Sequence, residues 1–508
     1  MLGAYHHMGN AIFSKRHVSS FTAQIHTETH QEEKDTAALG YLCFLSDVIM
    51  ATLRVIVDGT VFTADKELLI RHSEYFRALF QSGMRESSQD EIQLCNLGAM
   101  GFLITLRILE GERPLLSCDE ILEAVECAAF LQVELLMKHL VNLIDSDNCL
   151  VMFEAAATYG LLDLFHEAAL YIRDIYELLE KEIQCLPKDL IQYIDSLMPS
   201  TFVAVGAHTP TIEFLEDSSR TMCFLNEKDN QWVSLGCIPE NASTFLAGVT
   251  TLNNKVFIVG GARGANKQVV DKSFCYDPDN HTWSEFACPQ QLRYELTLVG
   301  HEGYLYAFGG EYERVPVAYV EKYSLSSQIW SFGKELPQPM AGPPATKAMG
   351  RIFVSLWKPQ DTTIIYEYDT DKEELIPISS IRRPQSYGHC MVGHRDNLYI
   401  MRNGPSDDFL RCTIENFNLS TQQWTTLSGQ YVNSKGALFT AVIRGDTVFT
   451  LNRVTTLLYK IDTCTWKPMK EKCGFNKGGS MHTFFLRIPT KTKLMACKLY
   501  KNPYQSYL

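Results

Sequence analysis

Residues 255–264 read KVFIVGGARG and residues 304–313 read YLYAFGGEYE, so that the same apolar strand pattern ends twice in a double glycine. Weaker copies are TFVAVGAHTP from residue 201, RIFVSLWKPQ from 351, NLYIMRNGPS from 397 and TVFTLNRVTT from 447. Aligning Gly206, Gly260, Gly309, Ser355, Arg402 and Leu451 gives steps of 54, 49, 46, 47 and 49 residues. Such a period in strand-rich sequence indicates a small sheet repeated around an axis.

A second mark recurs later in these units. An aromatic residue precedes a tryptophan by seven positions in Tyr276 and Trp283, Tyr323 and Trp330, and Phe417 and Trp424. Tyr368 precedes Leu375 at the same spacing, and Trp232 and Trp466 mark the first and last units with looser lead-ins. A four-stranded sheet cannot bury both of its faces alone, whereas radially stacked sheets can. The repeat therefore predicts a six-bladed propeller rather than a β-sandwich, which does not repeat at this period.

The two ends of the repeat region complement each other. The first unit begins at Thr201 without a leading strand, and MHTFFLRIP at 481–489 follows the last tryptophan as a spare strand. We expect this C-terminal strand to complete the first blade, which would close the ring and remove an open sheet edge.

The first 200 residues have a different pattern. LRVIVDGTVFTAD (53–65) alternates around Asp58-Gly59, a hairpin turn signal. KELLIRHSEYFRALFQSG (66–83) predicts one helix that Gly83 ends, and EIQLCNL (91–97) predicts a short strand. Further helices are predicted at 99–110, 119–130, 132–145, 147–159, 161–180 and 187–197.

Composition excludes several function classes. Net charge is −13; residues 51–198 carry 11 basic and 25 acidic side chains, and this acidity disfavours binding to nucleic acid. No apolar stretch reaches the roughly 20 residues of a membrane helix, and no signal peptide is visible, so we expect a cytoplasmic chain. The 15 cysteines show no zinc-site spacing and no catalytic motif appears. We expect no metal, no cofactor and no enzymatic activity.

The repeats and the N-terminal motifs together carry a family resemblance. The double glycines and the aromatic–tryptophan spacing resemble a kelch β-propeller. VIVDGTVFTADKELLIRHSEYFRALFQSGMRESSQDEIQL (55–94) resembles a BTB (POZ) domain, and AAFLQVELLMKHLVNLIDSDNCL (128–150) resembles its continuation toward a BACK domain. The whole chain is thus similar to the kelch-like (BTB-BACK-kelch) proteins.

This resemblance implies a multidomain organisation. We expect a disordered or alternative N-terminal extension at 1–49 and an α+β BTB/POZ domain at 50–146. A truncated all-α BACK segment at 147–198, about half the usual length, would then lead into an all-β six-bladed kelch propeller at 199–490 and a tail at 491–508.

Proteins of this kind typically act as substrate adaptors of cullin-3 ubiquitin ligases. The resemblance implies a BTB homodimer that binds the cullin and a propeller that captures a protein substrate. The family's cullin contact is an apolar-x-Glu motif, which Met84-Arg85-Glu86 matches, and Phe76 is assigned to the same contact. Two alternatives stay open: that GMRES is only a helix-ending turn, and that the protein is a cytoskeletal or scaffolding kelch protein without a ligase.

The expected substrate site is a rim at one end of the propeller. Loops that follow the double-glycine strands and loops that precede the next blade would meet there. They supply Arg263, Arg293, Tyr294, Arg314, Arg383, Tyr387, Arg402 and Arg453. Arg and Tyr often anchor interfaces, so we expect an acidic or phosphorylated partner segment. Because Glu311, Glu313, Asp407 and Asp408 share these loops, ordinary solvated charges are an equal alternative.

Overall fold

A computed structural model describes most of the chain after residue 51. The described residues are 52–83, 89–208, 219–358, 362–382, 389–403, 411–427, 431–432, 440–451, 456–469 and 477–493. The expectations for residues 1–49 and for the motif at 84–86 lie outside them.

A small sheet opens the described chain. Strands β1 (Thr52–Val57) and β2 (Thr60–Asp65) form the expected hairpin, and β3 (Glu91–Leu94) pairs parallel to β1. The two turn residues take left-handed backbone, with φ 46° at Asp58 and 75° at Gly59. Glycine adopts this conformation without a steric penalty, which is why Asp-Gly predicted the turn correctly.

Where the sequence predicts one helix over 66–82, the structure has two. Helix α1 (Lys66–His72) ends at Ser73, whose backbone is extended, and α2 (Glu74–Gln81) begins at the next residue. The Ser73 hydroxyl donates to the carbonyl of Leu131 at 2.6 Å and accepts from the amide of Phe76. A contact across 58 residues therefore fixes the break, and local periodicity could not reveal it.

Seven further helices follow in the described chain and share one apolar core with the small sheet. They are α3 (Ala99–Leu109), α4 (Cys118–Leu131), α5 (Glu134–Asn142), α6 (Cys149–Tyr159), α7 (Leu162–Asp174), α8 (Glu180–Ile183) and α9 (Lys188–Ser196). The predicted helix at 161–180 is shorter than expected, because a 3-10 turn at Tyr176–Leu178 separates α7 from α8.

From Thr201 onward the described chain forms six antiparallel sheets of four or five strands, which we call blades 1–6, and two small two-stranded hairpins. Blade 1 consists of β32 (Lys477–Leu486), β4 (Thr201–His208), β5 (Ser219–Asn226) and β6 (Gln231–Cys237). Blade 2 consists of β7 (Gly248–Leu252), β8 (Lys255–Val259), β11 (Ser273–Asp277) and β12 (Thr282–Phe286). Blade 3 consists of β13 (Thr297–His301), β14 (Tyr304–Phe308), β17 (Val320–Ser324) and β18 (Trp330–Phe332).

The remaining blades have the same strand order. Blade 4 consists of β19 (Ala345–Ala348), β20 (Arg351–Lys358), β21 (Thr362–Asp369) and β22 (Glu374–Arg382). Blade 5 consists of β23 (His389–His394), β24 (Asn397–Asn403), β25 (Arg411–Asn418), β26 (Trp424–Thr426) and β27 (Tyr431–Val432). Blade 6 consists of β28 (Thr440–Arg444), β29 (Thr447–Leu451), β30 (Thr456–Lys460) and β31 (Thr465–Pro468).

The C-terminal strand closes the ring. β32 pairs antiparallel with β4, from Leu486 opposite Thr201 to Met481 opposite Gly206. The first strands of the blades also contact one another in turn, and the contact of β28 with β32 and of β32 with β7 completes the circle. The ring is therefore fastened by two segments nearly 300 residues apart in the sequence.

Each pair of neighbouring blades shares an apolar cluster. Blades 1 and 2 meet through Val205, Phe224, Val256 and Phe274, and blades 6 and 1 meet through a cluster that includes Phe202. The other four junctions have clusters of the same kind. Burial between blades is thus what holds the repeat together, as the period predicted.

The aromatic–tryptophan spacing is explained by cross-strand pairing. Tyr276 lies directly opposite Trp283 in blade 2, with ring centroids 5.0 Å apart. Blade 6 has the same pair in Tyr459 and Trp466, also 5.0 Å apart, although the sequence analysis gave that tryptophan a looser lead-in. A seven-residue spacing therefore spans the hairpin between the third and fourth strands of a blade.

Candidate binding surfaces

The expected cullin contact begins beside α2. Phe76 is fully buried, with its ring centroid 5.4 Å from that of Tyr75 and 6.4 Å from that of Phe80. Its side chain therefore cannot contact a partner directly, which corrects that expectation. Exposed aromatic surface lies nearby instead, where Phe130 is 42% exposed and its ring is 4.8 Å from that of Tyr75.

The propeller has two ends, and the helices cover one of them. The turn after each blade's first strand lies at this end. At two of these turns, a Cβ added to Gly350 would lie 2.4 Å from Asn142, and one added to Gly445 would lie 2.7 Å from Ile175. The loops that precede each first strand and follow each second strand lie at the opposite end, because the strands are antiparallel.

A charged cluster at Arg395 joins the helices to blades 5 and 6. Its guanidinium lies 2.8 Å from Asp147 and 3.5 Å from Asp145, and it donates to the Ser146 hydroxyl at 3.0 Å. The Ser146 hydroxyl donates to Asp446 at 2.6 Å. His394 also bonds Asp446 at 2.9 Å and holds the pKa of that carboxyl below its ordinary value.

A second ion pair joins the helices to the closing strand. Arg487, just after β32, forms two hydrogen bonds to Asp174 at the end of α7, of 2.7 and 3.0 Å. The same carboxylate accepts from the amide of Ser200 at 2.7 Å. Such fork-to-fork geometry fixes orientation as well as distance. These contacts therefore connect the strand that closes the ring to the helices that cover it.

The opposite end of the ring carries two small hairpins. The first is β9 (Ala262–Arg263) with β10 (Gln268–Val269), and the second is β15 (Glu311–Tyr312) with β16 (Val315–Pro316). They follow the double-glycine strands of blades 2 and 3. A Cβ added at Gly260 would lie 2.4 Å from the carbonyl oxygen of Arg293, so the chain needs glycine at this close approach.

Tyr294 contacts residues of both hairpins. Its backbone exchanges hydrogen bonds with Glu311, and its hydroxyl accepts from the amide of Arg314 at 3.0 Å. Lys267 of the first hairpin lies 3.3 Å from the Glu311 carboxylate and 5.1 Å from the Tyr294 ring. Tyr294 itself is 1% exposed, so it supports the rim and does not offer its side chain to a partner, contrary to expectation.

Arg293 is also placed inside the protein, which corrects its assignment to the rim. Its side chain and that of Glu321 are both 0% exposed and form an ion pair. The guanidinium further donates to the carbonyls of Gly309 at 2.7 Å, Gln291 at 2.9 Å and Ala307 at 3.2 Å. Through these bonds Arg293 connects the backbone of the loop between blades 2 and 3 to strand β17.

Arg402 has a similar buried position. It is 5% exposed on β24, with its Nε 3.1 Å from the carboxylate of Glu415 on β25. Arg263 is half-buried and donates to the carbonyl of Glu240 at 2.7 Å, whereas Arg314 is exposed. The structure thus brings Arg263 and Arg314 to the rim, and the remaining expected residues, Arg383, Tyr387 and Arg453, lie outside the described chain.

The sequence analysis missed two apolar rim residues. Tyr312 is 40% exposed and Val315 is 62% exposed at the tip of the second hairpin. Between them Glu313 and Arg314 take left-handed backbone, with φ 50° and 66°. The stretch EYERV is consistent with a short hairpin that exposes an apolar residue at each end. This signal was missed because rim residues were selected mainly for their charge.

Comparison with known proteins places these surfaces in a family. A BTB/POZ domain model matches residues 43–148, and a Kelch motif model matches residues 244–290 and 292–337. The chain is 53% identical over 438 residues to human (Homo sapiens) "Kelch repeat and BTB domain-containing protein 13", covering 86% of this chain and 95% of that protein. The chain belongs to the BTB–kelch family.

Two further BTB–kelch relatives match this chain at different identities. Mouse (Mus musculus) "Kelch-like protein 42" is 28% identical over 298 residues, which cover 51% of this chain and 59% of that protein. The mouse counterpart of the human relative is 53% identical over 441 residues, or 87% of this chain and 96% of that protein. The family's BTB and kelch modules are protein-interaction modules, which fits the two surfaces described above.

Among the described residues, no group of three or more His, Cys, Asp or Glu side chains is arranged to hold a metal ion. None of the described helices has the length and apolarity that crossing a membrane requires.

Proposed function

We propose that this chain is the substrate-recognition adaptor of a cullin-3 RING E3 ubiquitin ligase. It would work in the cytoplasm as a BTB homodimer, without catalytic activity of its own. The observation that carries this proposal is the polarity of the ring: helices cover one end, while the other end presents two braced hairpins. A partner held at the open end faces away from the BTB domain that binds the cullin.

The BTB domain supports the dimer part of this proposal by its exposed apolar side chains. Val61 on β2 is 49% exposed, and Met100 and Leu103 on α3 are 42% and 38% exposed. Strand β2 and helix α3 pack together, with the rings of Phe62 and Phe102 5.2 Å apart. Burial of such side chains against a second copy favours association by about 25 cal/mol per Å².

The cullin contact is proposed at residues 84–86, immediately after α2. We expect Met84→Ala/Glu86→Ala to weaken binding to purified cullin-3 by about ten-fold or more, since an anchor and a charge-assisted hydrogen bond are both removed. Isothermal titration calorimetry measures this. Leu162→Ala/Glu167→Ala is the matched control, because it removes an exposed apolar and an acidic side chain from α7. Wild-type protein that bound no cullin-3 would instead favour a scaffolding role without a ligase.

The substrate contact is proposed at the rim formed by Arg263, Lys267, Tyr312, Arg314 and Val315, together with the predicted Arg383, Tyr387 and Arg453. Tyr312→Ser/Arg314→Glu should remove the partners captured in proximity labelling and leave cullin binding unchanged. Phe332→Ser/Lys334→Glu is the control, because it makes a similar change, of an exposed aromatic and an exposed basic side chain, at the outer edge of the same blade. Equal loss in both variants, or in neither, would contradict the rim assignment.

A further inference from the structure

A cavity of about 390 Å³ lies between the helices and the covered end of the ring. The helical part of the chain contributes Leu116, Asn142 and Tyr171 to its wall, and the first strands of the blades contribute His301, Lys347 and Phe485. Because both parts of the molecule line it, anything bound there contacts the joint that sets the direction of the propeller.

Lys347 is the unusual group in this wall. It lies on β19, and within the described part of the chain it forms no ion pair. Its side chain is exposed, so that a ligand in the cavity can reach the amino group. The surrounding protein lowers the pKa of that group, and no carboxylate offsets the effect. An accessible ammonium without a counter-charge attracts an anion.

The other charged side chains that line the cavity are already paired. The pairs are Asp145 with Arg395, Asp174 with Arg487, and Arg444 with Glu227. These paired groups therefore neither neutralise the ammonium of Lys347 nor compete with it for an anion. Lys347 is the charged residue in the cavity wall that has no partner among the described residues.

His301 supplies a second polar group beside Lys347. It is 8% exposed, and burial lowers the pKa of its ring; the Glu302 carboxylate opposes this shift, and the charge of Lys347 adds to it, so that the neutral ring is favoured. Its Nε2 lies 3.7 Å from the Glu302 carboxylate, which is too long for a hydrogen bond. A neutral imidazole can donate one hydrogen bond to a ligand without adding charge.

We propose that this cavity binds a small anion of the phosphate class, held by the ammonium of Lys347 and by a hydrogen bond from His301. A compact anion with several acceptor oxygens suits a lysine, which acts as a point charge with three donors. The volume exceeds that of phosphate itself and also admits pyrophosphate. Binding favours the docked state, because helices and blades together line the cavity and the site exists only when they are docked.

Calorimetric titration of the full chain in buffer without phosphate or sulfate tests this site. Inorganic phosphate and pyrophosphate are the probes, and acetate is the comparison ligand. We expect binding of at least one probe to wild type, weakened by about ten-fold or more in Lys347→Met. Lys334→Met is the control, because that lysine is exposed just after the outer strand of blade 3, away from the cavity.

Thermal unfolding provides the second readout. Without ligand, Lys347→Met should unfold close to the wild-type temperature, because the exposed ammonium forms no ion pair that the substitution would break. With phosphate or pyrophosphate, the unfolding temperature should rise in wild type and in Lys334→Met but not in Lys347→Met. Absence of binding to wild type, equal binding to Lys347→Met, or acetate binding as tight as phosphate would each overturn the proposal.

Discussion

Replacing Arg293 with methionine should destabilise the propeller severely, although the residue precedes a strand in a loop. The substitution removes the buried ion pair with Glu321 and leaves three carbonyl oxygens without their donor. Breaking a buried pair by removing one partner costs about 3–5 kcal/mol. At roughly 2–4 °C per kcal/mol, the unfolding temperature should fall by about 10 °C.

Tryptophan fluorescence measures this in the full chain. All 6 tryptophans lie between residues 232 and 466, so selective excitation reports the propeller and not the helices. Arg314→Met is the control, because this exposed rim arginine should cost less than about 0.5 kcal/mol.

A second variant tests the reason for the loss. Glu321 also accepts from the amides of Gln290 at 2.7 Å and Gln291 at 3.3 Å. Adding Glu321→Gln to Arg293→Met removes the stranded charge and keeps an acceptor, so part of the lost stability should return. The reasoning is refuted if Arg293→Met costs no more than Arg314→Met, or if the second substitution makes the protein less stable still.

Two other predictions concern closure and pH. Deleting residues 477–508 should make the propeller insoluble or protease-sensitive, because β4 loses its partner strand; unchanged thermal unfolding of the truncated chain would contradict this. Burial lowers the pKa of His139 to about 4, so the unfolded chain binds more protons below pH 6.5 and stability should fall as the pH drops from 6.5 to 4. His139→Gln should flatten that part of a denaturation-against-pH curve, and an unchanged slope would show that His139 does not cause it.

The sequence predicted those parts of the fold that depend on neighbouring residues or on a repeated pattern. The double glycines and the Tyr276–Trp283 spacing gave the blades, and the spare strand at 481–489 gave the closure. Asp58-Gly59 gave the first hairpin because only a few residues tolerate that backbone.

Features that depend on distant contacts were not predicted. Ser73 breaks a helix because it bonds to Leu131, 58 residues away. Arg293 resembles a solvated loop residue until Glu321, 28 positions later in the sequence, is placed opposite it, and the local sequence carries no sign of that pairing. The joint at Arg487 and Asp174 spans 313 residues. Such pairings appear only when the whole ring has been built.

The adaptor proposal is tested most directly by the molar mass of the complex between the purified full chain and cullin-3, measured by light scattering during gel filtration. A BTB homodimer that binds the cullin predicts one particle with two copies of each chain, as expected for a two-fold symmetric dimer. Two separate peaks, with the full chain eluting at its own mass and no cullin-3 beside it, would contradict the account.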